Sequence, residues 1–266
     1  MRSYILPPGT KTLIVWCGLG LLFSASGPRL ANAQESLEAR GDSLFSAHDN
    51  LRALSVYKEA LKTEESFNLL FKAGSAALLV GQYTEGESEA YFEEAVGFAE
   101  RLGNKYPDQP GSWTLLAATK GQLAKFRGPR EKARVARGVY THVHQALALD
   151  STYAFAYVVA GILAREVSQL GWVKRLAASA VLGGLPPGSL PESKRHLAKA
   201  IRNAPEFIIA RWEFAKTCLA LGQDDEALVH LNYIKKLTPA NSEEDRLQRK
   251  AAGVGADLAR RLLGKL

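Results

Sequence analysis

The sequence predicts an all-α protein built from helical hairpins that repeat along the chain and form a right-handed solenoid. Two observations carry this prediction. Prolines close two successive segments at Pro205 and Pro239, and these prolines lie 34 residues apart. Between them, large apolar residues recur every three or four positions on both sides of Gly222, which is typical of two amphipathic helices joined by a tight turn.

The segment from Glu206 to Pro239 fits the tetratricopeptide pattern, a helical hairpin in which small side chains let the two helices approach closely. Ala227 is the small residue of the second helix, and Asp224 or Asp225 can cap the start of that helix. The sequence predicts such units at about 35–66, 67–107, 110–151, 152–205 and 206–239, with a C-terminal capping helix at 242–263. The other markers in this segment are Arg211, Phe214, Ala215, Cys218, Leu231 and Ile234.

The fourth unit carries an insertion at about 169–191. Apolar residues recur there every fourth position from Trp172 to Val181, which predicts a short helix that ends at the glycine pair 183–184. A turn at Pro186-Pro187-Gly188 follows, and the pattern from Ser189 to Glu192 predicts a capping box that starts the next helix.

Residues 1–33 have the composition of a secretory signal peptide. Basic residues precede an apolar run at 13–23, and Ala31-Asn32-Ala33 provides a small-x-small cleavage site before Gln34. The sequence therefore predicts an exported protein, periplasmic or secreted, with a single repeat domain at 34–266. The alternative is a protein anchored in the membrane by this segment, left uncleaved.

Cleavage at this site also changes the charge and the thiol content. The removed segment holds three basic residues and no acidic one, so the net charge falls from +7 to +4. Such a mild excess without a concentrated basic face predicts no nucleic-acid partner. Cys218 becomes the one remaining thiol, which excludes an internal disulfide, and its place on an apolar helix face predicts a buried, unreactive side chain.

The spacing of polar residues predicts no enzyme, no cofactor and no metal site. The sequence shows no phosphate-binding loop, because the glycine pair 183–184 is followed by Leu-Pro-Pro instead of by a helix with a lysine. His142 and His144 are two residues apart, whereas helical ligand pairs lie three or four apart. His142, His196 and His230 instead recur at one repeat position, which indicates packing residues or, alternatively, a ladder whose protonation destabilises the stack.

The most basic window of the predicted mature chain lies in the third unit, between residues 120 and 137, where seven cations face only Glu131. It is either a solvated rim or a docking surface for an acidic partner or an anionic membrane, with binding that weakens as salt is added. Its cations are Lys120, Lys125, Arg127, Arg130, Lys132, Arg134 and Arg137.

The first helix of each unit is expected to face the concave side of the solenoid, where a partner binds. Residues between the packing positions of these helices are candidate groove residues, and the insertion adds a possible lid. The alternative for each is simple core packing. The groove candidates are Phe71, Val158, Ile162, Arg165, Trp212 and Lys216, and the lid candidates are Trp172 and Arg175.

Several distinctive segments lie between Trp113 and about Asp257. They are Gly128-Pro129-Arg130-Glu131-Lys132-Ala133, the segment 146–150, Trp172, the GGLPPGS turn, Ala215-Lys216-Thr217, the segment 219–222, and Pro239 with Ser242-Glu243-Glu244-Asp245. In these segments the chain resembles the regulator of microtubule dynamics family. The family implies tetratricopeptide-type helices and a protein-interaction scaffold, with microtubule or organelle-contact roles in its animal members. The predicted signal peptide is not part of this resemblance.

Two functional hypotheses follow. The first is an exported scaffold that binds a protein or peptide partner on its concave face. The second is a solute-binding or docking component of a cell-envelope transport assembly. A deep apolar pocket beneath the insertion would favour the second hypothesis, and a shallow open groove would favour the first.

Overall fold

The computed structural model describes residues 36–84, 86–169 and 185–264. The predicted signal peptide, Trp172, Arg175 and the insertion helix lie outside these ranges. Within them the chain forms eleven α-helices and a 3₁₀ turn at Ala124–Phe126, and no strand. The helices are α1 Leu37–Ser46, α2 Asn50–Ala60, α3 Phe67–Tyr83, α4 Ser88–Lys105, α5 Pro110–Leu123, α6 Pro129–Leu149, α7 Ala154–Ser168, α8 Leu190–Asn203, α9 Ile208–Ala220, α10 Asp224–Ile234 and α11 Ser242–Leu263.

The helices pack as successive antiparallel pairs, α1 with α2, α3 with α4, α5 with α6, α7 with α8 and α9 with α10. The first helices of neighbouring pairs also contact one another, from α3 through α5 and α7 to α9, and α11 packs on α9 and α10. We call α3, α5, α7 and α9 the inner layer. No helix among the described residues combines the length and apolar composition that crossing a membrane requires.

Small residues sit where paired helices approach most closely. A Cβ at Gly41 would lie 2.3 Å from Tyr57 Cε1, and one at Gly161 would lie 2.5 Å from Leu197 Cγ. These distances are far shorter than a van der Waals contact, so α1 and α2, and α7 and α8, could not pack as they do with a larger residue. The buried apolar residues form a large cluster at each end of the stack, and Cys218 belongs to the second.

The turns between paired helices follow the sequence signals with one exception. Asp49 caps α2 through a hydrogen bond from Arg52 N, and Ser189 caps α8 through a bond from Glu192 N at 3.2 Å. Gly222 has the left-handed φ of +72° that favours glycine, and it ends α9 as expected. The capping role of Asp224 or Asp225 is wrong, because α10 begins at Asp224 itself and its N-cap is Gln223, with no capping side chain.

Candidate functional site

The inner layer presents one partly exposed stripe of side chains per helix, on the side that no second helix covers. The stripe members are three, four or seven residues apart, as one face of a helix requires. The N-terminal part of each stripe is mostly apolar and the C-terminal end is polar. The stripes are Phe71, Ser75, Leu78 and Gln82 on α3, Ala118 and Gln122 on α5, Phe155, Ile162 and Glu166 on α7, and Ile209 and Lys216 on α9.

The groove candidates divide into three groups by burial. Phe71, Ile162 and Lys216 lie on the stripes and are partly exposed. Val158 and Arg165 are buried, at 1% and 3% exposure, because they face α9 from one side of the stripe on α7. Trp212 is partly buried and packs against the cluster that includes residues of α11. In this conformation Val158 and Arg165 therefore do not line an open groove.

Arg165 joins α7 to α9 in a buried polar network. Its Nη1 donates to the Glu213 carbonyl oxygen and to Thr217 Oγ1, both at 3.2 Å, and its Nη2 contacts the Glu213 carboxylate. Ser193 of α8 bonds Thr217 at 3.0 Å. Lys216 Nζ also lies 3.2 Å from the Glu213 carboxylate. The network fixes the spacing of three helices beside the polar end of the inner layer.

The seven basic residues of the third unit do not form one uncompensated surface. Lys120 pairs with Glu100 at 2.9 Å, Arg127 with Glu89 and Glu93, and Arg134 with Glu131 at 3.2 Å. Arg130 and Lys132 are exposed at the start of α6, and Arg137 is partly exposed further along it. Lys125 is exposed in the 3₁₀ turn that follows α5. The docking role of this window stays a prediction.

The terminal helix reaches back to the first units, so that the two ends of the stack touch. Asn50 Nδ2 donates to Ser242 Oγ at 2.7 Å, and His48 Nδ1 lies 3.8 Å from an Asp245 carboxylate oxygen. At the end of α3, the Tyr83 hydroxyl donates to Glu243, and Arg246 Nε donates to the Tyr83 oxygen at 3.2 Å. We call these contacts the closure.

The hydrogen bonds of the closure join polar side chains that are 160 to 192 residues apart. His48, in the turn between α1 and α2, holds a left-handed φ of +66°. Glu244 is buried beside the closure, accepts from Ala240 N at 2.9 Å and faces the first backbone amides of α9. Burial raises the pKa of Glu244, and these amides oppose the shift. The repeat pattern gave no signal for the closure, since its residues lie at turns and helix ends.

Lys125 lies in the 3₁₀ turn after α5, and its side chain is exposed. Desolvation is the main cause that lowers the pKa of its amine, and the charge of Lys216 adds to this effect. The carboxylates of Glu166 and Glu243 oppose it.

The histidines at the recurring repeat position are half-buried packing residues. Each lies on the second helix of its pair and its ring packs on an aromatic ring of the first helix. Burial is the main cause that lowers the pKa of all three imidazoles. The pKa of His230 falls to about 4, because the charge of Arg211 adds to the effect of burial. The ring pairs are His142 with Trp113, His196 with Tyr157 and His230 with Phe214, at centroid distances of 5.6, 6.2 and 4.4 Å.

The potential metal ligands of the described ranges are dispersed, and the one thiol there is buried. No three His, Cys, Asp or Glu side chains there lie close enough to hold a metal ion. Cys218 is fully buried, and burial raises the pKa of its thiol to about 11. A space of about 20 Å³ between α6, α7 and α8, lined by Tyr140, His144 and His196, has room for about one water molecule.

The paired helices, the inner layer and the terminal helix define a helical-repeat protein of the tetratricopeptide type, which confirms the predicted fold class. The structure is similar to that of a thermophilic TPR protein from Thermus thermophilus, with a TM-score of 0.60 and 17% identity. The comparison covers 81% of this chain and 97% of that one. A sequence model of regulator of microtubule dynamics protein 1-3 matches residues 37–258, and the chain belongs to this family.

Two relatives show how far this similarity extends. The chain is 23% identical over 232 residues to regulator of microtubule dynamics protein 2 of Bos taurus, covering 82% of this chain and 56% of that protein. It is 31% identical over 161 residues to regulator of microtubule dynamics protein 3 of Xenopus laevis, covering 60% of this chain and 35% of that one. The chain thus spans about half or less of the length of these relatives.

We expect Arg165→Met alone to lower the free energy of unfolding by about 3–5 kcal/mol, because it leaves the Glu213 carboxylate buried without its main partner. The double variant Arg165→Met/Glu213→Leu removes both charges and should recover most of the loss. Urea unfolding followed by circular dichroism measures both. A loss below about 1 kcal/mol in the single variant would show that the pair is not buried as described.

We expect the melting temperature to fall as the pH decreases from 7.5 to 5. The folded-state pKa values of the three histidines lie below the unfolded value of about 6.5, so the unfolded chain binds more protons and is favoured as the pH falls. The charges around these rings are Lys120 for His142, Glu192, Arg195 and Lys199 for His196, and Arg211, Glu226 and Lys194 for His230.

Differential scanning calorimetry of the wild type and of a His142→Gln/His196→Gln/His230→Gln variant isolates this effect. Glu244, whose raised pKa acts in the opposite direction, is present in both proteins. Between pH 7.5 and 5 the melting temperature of the wild type should fall by several degrees more than that of the variant. Each kcal/mol lost from the free energy of unfolding lowers the melting temperature by about 2–4 °C. Equal losses would contradict a role of the histidines.

Proposed function

We propose that this protein is an exported, non-catalytic scaffold that binds a protein or peptide partner on the inner layer. The proposal is supported by the four stripes of partly exposed side chains, which run side by side on α3, α5, α7 and α9. Adjacent stripes offer apolar contact area next to charged groups, the combination from which specific interfaces are built. Membership in a family of tetratricopeptide type agrees with an interaction role.

The proposed export rests on residues 1–33. Cleavage before Gln34 would release the repeat domain into the periplasm or the medium, and an uncleaved segment would hold it at the membrane. The intact mass of the protein purified from the periplasmic fraction distinguishes the two. A mass that matches residues 34–266 supports cleavage, and the full-length mass in the membrane fraction supports the anchor.

A second candidate function, binding of a solute, is favoured by the closure. Because the ends of the stack touch, the polar end of the inner layer is surrounded by helices on several sides. A compact ligand could therefore be held there without a protein partner. A small molecule that is released when the purified protein is denatured would support this candidate.

We expect Ala118→Trp to abolish capture of a protein partner by the mature chain from a periplasmic extract. Ala118 lies on the α5 stripe, about halfway along the helix, and an indole there would occupy the surface between the neighbouring stripes. Val229→Trp is the matched control, because Val229 is 64% exposed on α10 and lies outside the inner layer.

Affinity capture followed by mass spectrometry, at low and at high salt, measures this effect. The scaffold proposal requires a partner that the wild type and Val229→Trp retain and Ala118→Trp loses, with both variants folded by circular dichroism. A partner that Ala118→Trp retains as well as the wild type does would contradict binding on the inner layer.

A further inference from the structure

The positive charge of the chain is concentrated on two helices, α6 and α8. Together they carry eight lysine and arginine residues and two carboxylates, a net charge of +6, whereas the predicted mature chain as a whole carries +4. The rest of that chain is therefore slightly acidic. The cations are Arg130, Lys132, Arg134 and Arg137 on α6 and Lys194, Arg195, Lys199 and Arg202 on α8.

Six of these cations form two rows with the same spacing, in which successive members are four and then three residues apart. Residues at these intervals share one face of a helix. The buried residues of α6 and of α8 lie on the opposite face of each helix, so both rows point away from the core. We call them the cationic rows, and they are Arg130, Arg134 and Arg137 on α6 and Arg195, Lys199 and Arg202 on α8.

The cationic rows lie on neighbouring helices on the outer side of the stack. α6 and α8 are the second helices of successive pairs, so both lie on the side away from the exposed stripes of the inner layer. Leu147 of α6 packs against the cluster that includes Ala200 of α8. His144 and His196 line the same small space between the two helices. The rows therefore belong to one surface, which we call the outer basic face.

Most members of the cationic rows have no carboxylate partner. Arg134 contacts Glu131 at 3.2 Å, and the Lys199 amine lies 5.3 Å from the centroid of the Tyr157 ring. Like charges four residues apart destabilise a helix, so the stability of α6 and α8 does not explain the pattern. The members that make no ion pair within the described ranges are Arg130, Arg137, Arg195 and Arg202.

The outer basic face lacks the apolar centre of a protein interface. Both helices are described in full, and among their large apolar side chains only Leu149, at the end of α6, is exposed. Protein interfaces are built round buried apolar and aromatic side chains, and charged residues are depleted at their centre. A membrane with anionic lipids attracts lysine and arginine side chains without apolar contacts. The outer basic face therefore fits lipid headgroups better than a folded protein.

We propose that the outer basic face docks the protein on a membrane surface that contains anionic phospholipids. The guanidinium groups of the cationic rows would bind headgroup phosphates through paired hydrogen bonds. The inner layer lies on the other side of the stack and stays free to bind a partner. This site is therefore independent of the proposed scaffold function.

Co-sedimentation of the 34–266 chain with lipid vesicles tests this proposal. That chain contains every described residue and lacks the apolar run at 13–23, so insertion of that run cannot cause binding. The wild type should sediment with vesicles of equal parts phosphatidylglycerol and phosphatidylcholine, and added salt should release it. With vesicles of phosphatidylcholine alone it should stay in the supernatant.

Two variants that lose the same charge separate the outer basic face from the net charge of the protein. The test variant is Arg130→Gln/Arg137→Gln/Arg195→Gln/Arg202→Gln. The control is Arg40→Gln/Lys236→Gln/Lys250→Gln/Arg261→Gln, which changes exposed residues outside α6 and α8. Each cation near an anionic bilayer strengthens binding about fivefold, so the test variant should bind at least about twentyfold more weakly than the wild type. The control should bind at least about tenfold more tightly than the test variant.

Three results would overturn the proposal. Equal weakening in both variants would show that net charge alone decides binding, and unchanged binding in the test variant would exclude the outer basic face. Binding of the wild type to poly-glutamate without binding to the anionic vesicles would assign this face to an acidic protein. Circular dichroism should give both variants the wild-type melting temperature, because the changed side chains are exposed or partly exposed.

The scaffold function is tested independently of the membrane site. Ala118→Trp should sediment with the anionic vesicles like the wild type, and the test variant should capture a protein partner like the wild type. Loss of partner capture in the test variant would place the partner on the outer basic face and contradict membrane docking there. Loss of capture in Ala118→Trp alone leaves both functions supported.

Discussion

The closure is the contact on which the shape of the inner layer depends. A helical-repeat stack held only by neighbouring units is open, and each unit touches only the next. Here α11 bonds to the α1–α2 turn and to the end of α3, through Asn50, Tyr83 and their partners. Without these contacts, α3 and α11 would be separated parts of an open stack.

The closure is held together by polar contacts. The buried clusters at the two ends are separate, and the bonds between α11 and the first units join polar side chains that are partly exposed. Exposed ion pairs typically contribute up to about 1 kcal/mol each, far less than the burial of a cluster of apolar side chains. A ligand that contacts both α3 and α11 would therefore add to a small stabilisation.

The fold could be predicted from local signals because the repeat pattern is local. Proline spacing, Gly222 and the small residues of each pair are fixed by the contact between adjacent helices. The choice of groove residues was less accurate, because one residue along a helix is a rotation of about 100°. Val158 and Arg165 consequently face α9, while Ile162 and Glu166 of the same helix lie on the stripe. A periodic pattern identifies an apolar face more reliably than its edge.

The closure could not be predicted for a different reason. The contacts of Tyr83 and Asn50 with α11 span 160 to 192 residues, and a single sequence carries no local signal for such contacts. The sequence likewise carries no local signal for the ion pairs that Lys120 and Arg127 form with glutamates of α4.

The distance between the two ends of the stack in solution tests the closure most directly. Spin labels at Leu51→Cys on α2 and Gly253→Cys on α11 of the 34–266 chain would report it by pulsed electron resonance. Both positions are exposed, and Cys218, the native thiol of that chain, is buried. The structure predicts one narrow distance distribution, which moves to longer distances in a Tyr83→Ala/Arg246→Ala variant. A broad distribution that this variant leaves unchanged would show that the stack is open and would contradict the account.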